Sequence, residues 1–169
     1  MKLSRAVALC LSFLLCACGS TTPTSPTPVN YAGVWTGDFN ITSCTDVEVT
    51  GLTQLFLCRG LIRTQTYRFT LTQSGSIVTG SYQLVTAFYS CACAGDFGTF
   101  DMSGTVGSDG ALTITATGIP RASGVTAVVT FALRQSSTST IAGTVSGRLR
   151  FNTPEDRSVF TGVLTSGSR

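Results

Sequence analysis

Residues 66–86 read TYRFTLTQSGSIVTGSYQLVT. Large apolar side chains alternate with polar ones on both sides of Gln73-Ser74-Gly75-Ser76: Tyr67, Phe69 and Leu71 come before it, Val78, Tyr82 and Leu84 after it. A period of two marks a strand with one buried face, and a short Gly-containing polar break between two such runs marks a tight hairpin. The stretch therefore predicts an antiparallel pair over 66–73 and 76–86.

The same period continues on both sides. Upstream, a strand is expected over 33–43, with Trp35, Phe39 and Ile41 on one face. Downstream, strands are expected over 97–106, 111–117, 126–135, 140–151 and 158–165. The last carries Val159 and Val163 on one face and Phe160 and Leu164 on the other. Gly107-Ser108-Asp109-Gly110 and Ser136 to Ser139 are further short breaks, and Asp109-Gly110 suits a type I′ turn. The connections centred on 44–65, 87–97, 118–125 and 152–157 are longer.

Short and long connections thus take turns. An up-and-down barrel puts every second connection at the same end, so the short turns share one end and the long loops the other. The expected fold is all-β: an eight-stranded antiparallel up-and-down β-barrel over 31–169. Gly37, Gly80, Gly104, Gly143 and Gly147 fall on the inward face, where strands must coil tightly or leave room for large side chains. An eight-stranded interior is just wide enough for side chains or for one small ligand, and both a filled and a hollow barrel fit the sequence.

Upstream of the barrel, residues 1–17 have a short basic start (Lys2, Arg5), an apolar run and small residues at its end, the pattern of a secretory signal. Leu15-Cys16-Ala17-Cys18 resembles the bacterial lipobox. The resemblance implies that Cys18 becomes the lipid-bearing first mature residue. Residues 18–30, rich in Pro, Thr and Ser, form an extended linker. Gly19 follows Cys18, so the inner-membrane retention signal known for enterobacterial lipoproteins is absent. The implied address is the cell envelope, lipid-anchored, at an outer membrane and facing the periplasm or the cell surface.

Cleavage before Cys18 leaves 152 residues (169 less the first 17), one domain's worth. With Lys2 and Arg5 gone, nine Arg stand against eight acids and no Lys remains. That balance excludes nucleic acid as a partner, because phosphate backbones demand a concentrated basic face.

Gly33-Val34-Trp35-Thr36-Gly37 is similar to the Gly-x-Trp start of lipocalins and avidins, and Gly80-Ser81-Tyr82 and Asp109-Gly110-Ala111-Leu112 are similar to avidin hairpins. The likeness implies a calycin-type barrel with Trp35 closing its short-turn end. An avidin pocket uses several tryptophans and this chain has one, so biotin is not implied.

Cys44, Cys58, Cys91 and Cys93 remain after Cys18. In an exported domain an even count reads as a disulfide framework. Three pairings are open. Pairing Cys44 with Cys58 would leave Cys91 and Cys93 bridged across one residue, a strained arrangement, so cross-loop pairing is favoured. The spacing lacks the C-x2–4-C knuckle of a zinc site, and no metal or cofactor is expected. A redox-active Cys91-Ala92-Cys93 is the lesser alternative.

The chain has no His, so no His-based triad or imidazole base is possible. Asp46, Glu48 and Asp96 fall at the loop end with nothing to fix their separation. The acids read as solvated surface groups, Arg148 and Arg150 point outward on the seventh strand, and no catalytic residues emerge. Two functional readings stand. The first is a non-catalytic binding module whose braced loops, including the apolar run Leu52 to Leu57, contact a small apolar ligand or an envelope protein. The second is a structural or protein-contact lipoprotein with a filled barrel, such as an inhibitor of a wall-active enzyme.

Overall fold

A computed structural model describes residues 29–47, 58, 63–85, 99–118, 125–151, 156 and 158–169. Its strands are β1 (Gly33–Asp46), β2 (Thr64–Ser74), β3 (Ile77–Leu84), β4 (Thr99–Val106), β5 (Leu112–Gly118), β6 (Val125–Ser137), β7 (Thr140–Phe151) and β8 (Ser158–Ser168). Each pairs antiparallel with its neighbours in sequence, and β8 pairs with β1, so the sheet closes. The expected eight-stranded up-and-down barrel is the observed one. Strand ends differ from the expected ones by a few residues; the shift that matters is at β1, which runs on to Asp46.

The alternation read in the sequence is the alternation of burial. Trp35, Phe39, Phe69, Tyr82, Ile114, Phe131, Leu149, Phe160 and Leu164 all face inward and are buried. The outward positions are mostly Thr and Ser. A transmembrane barrel has the opposite arrangement, with an apolar band outside, so this is a barrel built around an apolar core. Closure also removes the unpaired edges that an open sheet would expose.

The strands are strongly staggered. Gly33 lies opposite Leu71. Following directly opposed inward residues from there leads through Gly80, Met102, Ala116, Val129, Gly147 and Phe160. Phe160 in turn lies opposite Cys44 on β1. One circuit therefore climbs eleven residues along β1 (44 − 33), with β-bulges between Asp38 and Phe39 and between Ile41 and Ser43 taking up the irregularity. Stagger and strand tilt are linked in any closed barrel. Here they carry the end of β1 past β2, whose pairing stops at Asn40–Thr64, so that Asp46 is reached in partnership with β8 alone.

The inward glycines serve close approach. Phe160 lies across Gly147, directly opposite it, and a Cβ on Gly147 would stand 2.1 Å from Phe160 Cζ. Phe100 covers Gly118 in the same way. At Gly104 the obstacle is backbone, since a Cβ would stand 2.1 Å from the Thr113 carbonyl oxygen. Gly147→Ala is expected to lower stability by about 1–3 kcal/mol, the usual cost of overpacking a core. Thermal denaturation checks this; a Tm equal to the parent's would mean that the ring is free to move aside.

The short turns share one end. Gly75 at φ 59° and Ser76 join β2 to β3, and Thr138-Ser139 join β6 to β7. The β4–β5 turn departs from the expected type I′ centred on Asp109-Gly110. Gly110 N–H donates to Gly107 O at 3.0 Å, so Ser108 and Asp109 are the central pair, and Gly110 follows at φ 77°. Asp109 accepts from the Ala111 N–H and from Arg134. These donors, the Ala111 N–H foremost, hold its carboxyl below the usual carboxylate range.

Candidate functional site

The lead-in residues 29–32 cross the short-turn end and are fixed there. Tyr31 N–H donates to Gln73 Oε1 at 2.7 Å, and Tyr31 Oη donates to Gly110 O at 2.9 Å, with Leu133 O at 3.2 Å. Gln73 and Gln135 reach back to the carbonyls of Val29 and Asn30. Trp35 is fully buried against this segment, its Nε1–H donating to Tyr31 O at 2.7 Å, and the Arg169 guanidinium lies 5.6 Å from its ring centroid. The first Gly of Gly-x-Trp has a physical reason here. Gly33 adopts φ 133°, which L side chains avoid, and a Cβ there would stand 2.6 Å from Arg169 Nε. The chain therefore enters the barrel at the short-turn end, as the strand count implied, and Trp35 and Tyr31 sit together across that end.

Above this layer, rings from opposite walls meet. Phe131 of β6 lies 6.1 Å from Phe39 of β1, 4.9 Å from Phe69 of β2 and 5.3 Å from Tyr82 of β3, each at a steep edge-on angle. Tyr67 stacks on Phe69 at 4.3 Å and extends its hydroxyl towards Gly167 of β8, a position with no side chain to block it. Edge-on and offset contacts are the favoured geometries for such rings. These residues bridge the lumen at mid-height. The hydroxyls of Tyr67 and Tyr82 are buried without a hydrogen-bond partner among the described residues. Burial pushes both phenols well above the usual tyrosine range, and pushes Tyr31 up as well.

The opposite end is braced by a disulfide between Cys44 and Cys58, with Cα atoms 5.7 Å apart. This corrects the favoured cross-loop pairing of Cys44 and Cys58 with Cys91 and Cys93. The reason is the stagger. Cys44 is not in a loop but within β1, opposite Phe160 of β8, whereas β3 and β4 pair with neither of these strands. Cys91 and Cys93 lie outside the described residues. Asp46, read from sequence as a solvated acid, is a clamp: its Oδ1 accepts from Cys58 N–H at 3.0 Å and from Ser158 Oγ at 2.5 Å. It ties the first loop and β8 to the end of β1. Among the described residues, Ser158 and Gln65 are the fully buried polar side chains at this rim. Glu48, Asp96 and the run Leu52 to Leu57 lie outside the described residues, as do Cys18 and the rest of residues 1–28, where a signal segment and linker are expected.

The bridge closes a segment of 14 residues, for which the loss of unfolded-chain entropy corresponds to about 3 kcal/mol. Cys44→Ala/Cys58→Ala is expected to lose about that much by denaturant titration. An unchanged midpoint would show that the Asp46 hydrogen bonds hold the rim alone.

Arg148 and Arg150 point outward as expected. Arg150 Nε donates to Asp156 Oδ1 at 2.7 Å, and Arg148 Nη1 lies 3.6 Å from Asp156 Oδ2. Beside them the outer wall of β6, β7 and β8 is indented by a groove of about 400 Å³. Among the described residues no group of three or more His, Cys, Asp or Glu is placed to hold a metal ion.

The fold and these sites define a closed, antiparallel, apolar-cored barrel plugged at the end where the chain enters and cross-linked at the other. Compared with family models, curated proteins and solved structures, the chain matches none.

Sequence reasoning missed Tyr31 and Asp46 as structural groups. Tyr31 had a signal, four residues before the single Trp and directly after a polar linker. Asp46 had none, because its donors come from residues 58 and 158.

Proposed function

We propose that this chain is a membrane-anchored envelope lipoprotein, held through Cys18, whose barrel is a rigid, non-catalytic module that presents its loop end to another envelope protein. The observation that carries the protein-contact reading is the ring cluster. Phe131 reaches from β6 to aromatic side chains of β1, β2 and β3, which leaves mid-barrel to side chains and favours binding by the outer surface of the loops. The lead-in chain is pinned to the short-turn end, so a tether leaving residue 29 holds the long loops away from the lipid surface. Loops on a rigid scaffold are where such proteins carry contacts, and the bond at Cys44–Cys58 limits the entropy lost when the rim is engaged.

The test has two parts. Labelled fatty acid is expected to enter the chain and to be lost in Cys18→Ser; label in that variant overturns the anchor. A photo-crosslinker at Thr64, exposed beside the loop end, is expected to give a protein adduct in the intact envelope, and one at Ser108 in a short turn is not. A small apolar molecule found by native mass spectrometry of the envelope-purified chain, with no adduct from Thr64, overturns the protein-contact reading in favour of a ligand at the barrel mouth.

A further inference from the structure

The groove on the outer wall lies nearer the long loops than the short turns, and its chemistry is arranged in rows. Its floor is Thr130, Ser146 and Thr161, three hydroxyls directly opposed across β6, β7 and β8. They belong to a longer register of hydroxyls, since Thr115 faces Thr130 at 3.0 Å and Ser43 faces Thr161 at 2.7 Å. One step towards the loops, Val128, Arg148 and Val159 are directly opposed, so two methyl-bearing walls flank one guanidinium. One step further stands Arg150, held by Asp156.

We infer that this groove binds a sugar carrying an acidic group, with the hydroxyl row and valines receiving the ring and Arg148 the acid. Five observations support it. Among the described residues the two guanidinia face a single carboxylate, one positive charge in excess. Asp156 already shows that the pair accepts an oxyanion. Its tight contact is with Arg150, whose side chain is 34% exposed, while Arg148 is 62% exposed and only 3.6 Å from the carboxylate, so Arg148 keeps donors for a second anion. A guanidinium suits carboxylate or phosphate through paired N–H donors. A volume of about 400 Å³ is in the range of small-molecule sites and is generous for a bare anion. Although Thr130 and Thr161 pair with Thr115 and Ser43, each hydroxyl pair keeps one O–H and acceptor lone pairs, and such groups at strand spacing match a polyol better than an apolar ligand.

The groove lies on the barrel wall, so this inference stands or falls separately from the loop-end reading. The experiment is an amide and methyl chemical-shift titration of the mature chain with glucuronate, glucose 6-phosphate, glucose and inorganic phosphate. Both acidic sugars are expected to give saturable shifts at Thr130, Ser146, Arg148 and Val159, with glucose and inorganic phosphate each at least tenfold weaker. Arg148→Gln is expected to weaken the acidic sugars at least tenfold without changing the Tm. Ser146→Ala is expected to weaken glucose 6-phosphate while leaving inorganic phosphate unchanged. Absence of saturable shifts, equal response to glucose, equal response to inorganic phosphate, or an Arg148→Gln variant that binds as the parent does would each overturn the proposal.

Discussion

Phe131→Ala is expected to lower the stability of the barrel by about 3–5 kcal/mol, the range for removing a large aromatic side chain from a core that cannot collapse around the gap. The ring is fully buried and touches Phe39, Phe69 and Tyr82 on three other strands. A closed sheet limits relaxation, because strands already joined all round by hydrogen bonds cannot move inward to refill the space. Denaturant titration measures the loss. A cost below about 1.5 kcal/mol would show that the neighbouring rings swing into the gap, and that the lumen is more adaptable than its ring contacts indicate.

Alkaline pH is expected to unfold the protein with a steepness set by buried phenols. A tyrosine in the unfolded chain titrates near 10, whereas burial raises Tyr67 and Tyr82 above that in the folded barrel. The folded state therefore keeps protons that the unfolded state releases. Stability is intact below about pH 10 and falls as pH rises past it, by about 1.4 kcal/mol per pH unit for each such phenol and about 2.7 for the pair. No His adds to this slope and the single Lys, Lys2, precedes the domain, while Tyr31, also raised by burial, contributes equally in the parent and in a variant of the other two. Tyr67→Phe/Tyr82→Phe is expected to flatten the alkaline slope by that amount. It should cost little at neutral pH, since neither hydroxyl has a hydrogen-bond partner to lose among the described residues. A double variant with the parent's alkaline slope would place the titrating groups elsewhere.

Period two alone separated Val159 from Phe160 on β8 without saying which is buried, but that Phe131, Tyr67 and Tyr82 face the same interior follows from it, as does the outward placement of Arg148. That the phenols lack partners does not, because the surroundings of a side chain in a barrel come from strands far apart in sequence. The candidate sites divide in the same way. Trp35 was marked by its Gly-x-Trp setting, but Arg169, which covers it, lies 134 positions away (169 − 35). Arg148 and Arg150 were visible as an outward pair, while the hydroxyl row beside them exists only through the register of β6, β7 and β8.

Alternation, turn residues and the lengths of the connections were enough to determine the strand count, the face that each strand but β8 buries, the up-and-down order and the end at which the chain enters. These are local or counting properties, and a side chain's face is fixed by its neighbours in sequence. The tertiary structure alone decided the partner of Cys44, the role of Asp46 and the bridging of the lumen by Phe131. Each depends on the stagger with which the sheet closes, which lifts the end of β1 along β8 and brings residues 44, 46, 58 and 158 to one rim. Stagger is a property of the whole circuit of eight strands, and no single stretch of sequence carries it.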